Sequence, residues 1–130
     1  MNASQIAQAY ASRFRCLRTE WCNTGPQDWA RSSLLEAAAA ARDEFQRIPF
    51  EEIAGFEECR SFWINTYNGA VIDLIITLAI AAGVRCSVKE VGRFFEVKYL
   101  KVADVPLSLD DIEHGFLRAN QRHPAGLLPP

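Results

Sequence analysis

A surplus of basic residues is missing from this chain: 14 Lys and Arg stand against 16 Asp and Glu, for a net charge of −2. A nucleic-acid or anionic-membrane partner therefore has no electrostatic footprint here. The four cysteines form no C-x-x-C pair; the closest two, Cys16 and Cys22, are separated by five residues, which argues against a zinc site. The seven glycines are dispersed and cradle no phosphate, and neither a Walker loop, a G-x-S-x-G elbow nor a dinucleotide fingerprint occurs. No metal and no cofactor is expected. The polar N-terminus has no basic-then-apolar leader, so the expected setting is cytoplasmic with reduced thiols, buried or semi-buried. With 130 residues, there is material for one core. Residues 1–120 are read as a single domain and 121–130, with three prolines and a glycine, as a tail or a truncated continuation.

What the chain does have is apolar periodicity. Ile6, Tyr10, Phe14, Leu17 and Trp21 recur every three or four residues, which predicts a helix from Ala3 to Cys22. After the break at Asn23 to Pro26, the positions Trp29, Leu34, Leu35, Ala38, Ala41, Phe45 and Ile48 continue a helical period up to Pro49. The two segments predict a helical hairpin. From Phe62 to Ala82 the sequence is long and apolar enough to span a bilayer. Asp73 at its middle would cost about 2.5 to 3.5 kcal/mol in lipid against about 0.3 to 0.6 gained per Leu, Ile or Phe, so no membrane span is expected and the helix is placed in a protein core. At 100° per residue, Thr66, Asp73 and Thr77 share one stripe of this helix.

Beyond Gly83 the residues favour strands, at Val84 to Val88, Phe94 to Tyr99 and Leu100 to Val105, with Pro106 ending the last. Then LSLDDIEHGFLR carries a helix start: Ser108 as N-cap, Asp111 three residues on, and Leu107 set to staple onto Ile112. The expected fold class is helix-dominated α+β: an N-terminal helical hairpin, a long buried central helix, a small two- or three-stranded sheet and a C-terminal capped helix.

Two motifs carry the chemistry. In FWINTYNG, Asn65 and Asn68 flank Tyr67 at the start of an apolar helix; either the amides brace neighbouring backbone, or they line a cleft and orient a ligand. In the capped helix, Glu113 and His114 are adjacent, diverge by about 100° and so are not expected to act as paired metal ligands. His114 has Asp110 and Arg118 four residues away on either side, and Glu113 is suited to accept from a tyrosine or amide of the long helix, as structural acceptor or as general base. Candidate catalytic residues are thus Glu113 and His114, and candidate binding residues are Asn65, Tyr67, Asn68 and Arg118. Cys59 and Cys86 read as small core residues.

Together, Trp63 to Asn68 and Ser108 to Arg118 resemble the two signature segments of domain-of-unknown-function family 547, over residues 55–120. The resemblance implies that both segments open helices, and that modular fusions of the kind known in the family, with glutaredoxin-like and DEP domains, place it among interaction modules. No activity is attached to the family. A later Phe-Ala-Leu-x-Cys-Gly type segment of the family has no match here, so thiol chemistry does not carry over, and the chain reads as a fragment or a short form. Two functions follow as expectations. The first is an interaction or binding module with a protein partner or self-association, for which an exposed apolar patch is expected near Phe94 to Tyr99 or near Phe116 and Leu117. The alternative is an enzyme-like domain whose polar cleft of Asn65, Asn68, Glu113 and His114 takes a small molecule or peptide.

Overall fold

Helix α1 (Ala3–Asn23) follows the predicted stripe, burying Ala7, Tyr10, Phe14 and Leu17 on one face. The structure, a computed structural model, describes residues 3–48, 56–82, 93–102 and 105–117, without the side chains of 30, 31, 56–59 and 115–117. The second helical segment is split: Pro26–Arg31 winds as a 3-10 turn and α2 (Leu34–Gln46) follows. Local hydrogen bonds explain the interruption. The Trp29 Nε1 donates to the Thr24 carbonyl at 3.1 Å, the Ser32 hydroxyl donates to the Trp29 carbonyl at 2.8 Å, and Ser32 itself is extended. Serine offers the backbone an alternative to the helical ladder, and here that alternative wins.

Helix α3 (Phe56–Ala82) starts six residues earlier than its apolar run does and supplies the centre of the fold. It packs along α1 and touches α2 and the C-terminal helix. Phe62 stacks on Phe45 of α2 at 5.7 Å between centroids and meets Trp63 edge-on at 4.9 Å, while Tyr10 and Phe45 lie 4.6 Å apart. Gly69 makes the α1 contact possible: a Cβ there would stand 2.8 Å from the Tyr10 ring. The Thr66 and Asp73 side chains of the predicted stripe are buried, and Thr77 is partly so. Arg60–Ala82 is one helix long and apolar enough to cross a membrane.

The sheet is a hairpin of β1 (Leu100–Val102) and β2 (Val105–Leu107), antiparallel with Leu100 opposite Leu107 and Val102 opposite Val105. Two expectations are corrected here. Phe94 to Tyr99 is not a strand: Arg93 takes a left-handed φ of 61°, Phe94–Glu96 forms a 3-10 turn, and only the Tyr99 N–H joins the ladder, donating to Leu107. Pro106 lies within β2 opposite Lys101 rather than ending a strand. Among the described residues the sheet has two strands, so each is an edge, where a residue lacking a ladder donor is tolerated. The expected strand at Val84 to Val88 and the tail 121–130 lie outside the described residues.

The predicted helix start at Ser108 is present in full. The Asp111 N–H donates to the Ser108 hydroxyl at 3.1 Å and the Ser108 N–H donates to the Asp111 carboxylate at 2.9 Å, a reciprocal capping box. Leu107 and Ile112 are both buried, as the staple requires. Residues 109–110 begin as α-helix, and Asp111–Leu117 then winds as a π-helix packed against α3.

Candidate functional site

Two polar constellations surround α3. The inner one is centred on Asp73, whose side chain has no solvent exposure. Arg42 of α2 grips it bidentately, with Nη2 2.6 Å from Oδ1 and Nε 2.8 Å from Oδ2. Tyr10 of α1 donates to Oδ2 at 3.2 Å, while Thr77 (3.2 Å) and Tyr99 (2.9 Å) converge on Oδ1. The guanidinium also lies over the Tyr99 ring, 4.7 Å from its centroid. Burial works against the Arg42 charge, but the hydrogen bonds and charge of Asp73 outweigh it and hold the guanidinium above its ordinary value. Burial first and the Asp73 charge second push the Tyr10 and Tyr99 phenols upward, so both stay donors. The carboxylate is saturated by protein, which makes this cluster a brace tying α1, α2 and the approach to β1 onto α3.

The outer constellation lies where α3 meets the π-helix. His114 Nε2 is 3.8 Å from Asp110 Oδ1 and 3.9 Å from Glu113 Oε2, and ligand atoms of the three side chains lie within 4.8 Å of one another. The 100° divergence expected for Glu113 and His114 is thus overcome: the π turn advances each residue by less than an α turn does, and two long side chains close the remaining gap. The group is accessible, with His114 at 52% side-chain exposure. From α3, Tyr67 faces it. Its phenol is raised by burial first, then by the charges of Glu113 and of Asp110. Nearby, Lys98 pairs with Asp111; burial would raise that carboxyl, but Lys98 and the Ser108 amide draw it below its usual value.

Three of the six candidate residues therefore come together: Tyr67, Glu113 and His114. Asn65 is half-buried and Asn68 exposed, because the inward face of α3 runs through Phe62, Trp63, Thr66, Ala70 and Asp73. Arg118 lies outside the described residues. Cys16 and Cys22 are exposed, not buried as expected, since both fall on the outer side of α1; the Cys59 side chain and Cys86 are not among the described groups. Asp110 was legible as the residue one turn before His114, whereas nothing in the sequence paired Arg42, Tyr10 and Tyr99 with Asp73.

Comparison with known proteins supplies the class. The family model described as "Protein of unknown function, DUF547" matches residues 54–129, and the chain belongs to that family. The match contains both polar motifs and all of α3, and it extends past the 120 boundary drawn from the motifs alone. No curated protein matches the chain. No solved structure does either.

Proposed function

We propose that this domain is a binding module that takes a cationic group, such as the guanidinium or ammonium of a peptide or small ligand, at the surface formed by Tyr67, Asp110, Glu113 and His114. One observation carries the reading: two carboxylates, an imidazole and a phenol from two separate elements gather on an accessible face, where local charge is negative and donors and acceptors are both present. A binding role is favoured over nucleophilic catalysis because, among the described residues, the His114 imidazole is partnered by Asp110 and Glu113 and by no hydroxyl or thiol. A protein setting for α3, and with it a cytoplasmic module, is supported by the saturated Asp73 at the helix centre.

The test is a chemical-shift titration of the labelled chain with arginine-containing peptides against citrulline-containing controls. Shifts confined to Tyr67 and residues 110–114, seen with arginine only and lost in Glu113→Gln, are expected. Shifts elsewhere, or none for any arginine peptide up to millimolar concentration, would overturn the reading.

A further inference from the structure

A second feature, on α1 and α2, shares no residue with the binding surface. Between α1 and α2 runs an open groove of about 390 Å³. Ile6 of α1 and Ala37, Ala40 and Ala41 of α2 line it, where a solvated helix face would ordinarily carry long polar side chains. Its α1 side bears Arg13 and its α2 side Glu44, both exposed, and neither forms an ion pair with a described residue.

From this we infer that the groove is the contact face between two copies of the chain, packed α1–α2 against α1–α2 about a twofold axis. Alanines permit close approach of helices, at interaxial distances of about 8–10 Å. The charges select the occupant. A twofold axis passing between Arg13 and Glu44 sets Arg13 of each copy against Glu44 of the other, so both charges are paired, as an isologous interface demands. A partner carrying one sign of charge would instead leave one side of the groove facing its like. A small ligand finds an open trough floored by alanine, with Arg13 and Glu44 on opposite sides, rather than an enclosed, apolar pocket.

Sedimentation velocity on the full chain tests the inference, with Arg13→Glu, Glu44→Arg and the double exchange compared with wild type. Both residues are exposed, and circular dichroism of each variant checks that the fold is retained. The wild type is expected to form dimers. Each single reversal places two like-charge contacts in the dimer and raises Kd by about tenfold, and the double exchange restores it. A wild-type chain that stays monomeric up to about 500 μM would overturn the proposal. So would a dimer indifferent to both reversals, or single defects that the double exchange leaves uncorrected. None of these outcomes bears on the peptide titration, which reads other residues.

Discussion

Replacing Asp73 by alanine probes the centre of the fold, and the structure sets the size of the effect. The carboxylate is fully buried and holds Arg42, Tyr10, Tyr99 and Thr77 at once. Losing one member of a buried ion pair costs about 3–5 kcal/mol, because the survivor is left uncompensated. Arg42 retains 19% side-chain exposure and reaches water in part, which places its share at the lower end. The buried Tyr10 hydroxyl loses its acceptor, adding about 1–3 kcal/mol. A total near 4 kcal/mol is a large fraction of the 5–15 kcal/mol typical of a domain. With a urea dependence of about 2 kcal/mol per molar, the midpoint falls by about 2 M. Urea unfolding followed by circular dichroism and by fluorescence of the buried Trp29 and Trp63 measures it. Arg42→Met strands the carboxylate instead and costs about as much. The double variant should be less destabilised than the sum of the two singles by at least about 2 kcal/mol, since neither charge is then left alone. An Asp73→Ala chain within about 1 kcal/mol of wild type, or strict additivity, would refute the account of this cluster as a coupled brace.

Four further outcomes are expected. Ser108→Ala should destabilise by about 0.5–2 kcal/mol and Ser108→Gly by a few tenths, read from denaturant midpoints; because the Asp111 carboxyl is held below 3.8, its contribution is complete at neutral pH and is lost as the pH falls through that lowered value, so melts of Asp111→Asn should show a weaker acid dependence. Gly69→Ala should destabilise by about 1–2 kcal/mol despite alanine's better helix propensity, since the new methyl meets a Tyr10 ring that Asp73 holds in place; a stabilised variant would show that the ring moves aside. On expression the chain should fractionate with the soluble proteins; recovery in membranes after carbonate washing, with aggregation excluded, would place α3 in lipid instead.

In the segment Phe94 to Tyr99, Phe95 and Val97 are 38% and 39% exposed. The same segment marks where sequence reading fails. Phe94, Phe95 and Val97 favour strands by composition, but strand identity depends on a partner, and β1 finds one only from Leu100 onward, opposite β2.

Local chemistry determined what local chemistry can: the α1 stripe, the apolar α3 and the Ser108–Asp111 capping box all depend on residues within a turn or two of one another, so they were legible from spacing alone. The sequence also marked Asp73 as a charge that needed a partner, through its place on the stripe with Thr66 and Thr77. Which residues would answer was a matter of tertiary structure, because Arg42, Tyr10 and Tyr99 lie 31, 63 and 26 positions away and are brought to the carboxylate only when three helices and the hairpin pack. The candidate site divides in the same way. Asp110 and His114 are neighbours by helical period, whereas Glu113 joins them because the helix winds as π, and Tyr67 faces them because that helix docks on α3. A one-dimensional pattern encodes angles about a single axis, and the distance between two axes is set by what packs between them.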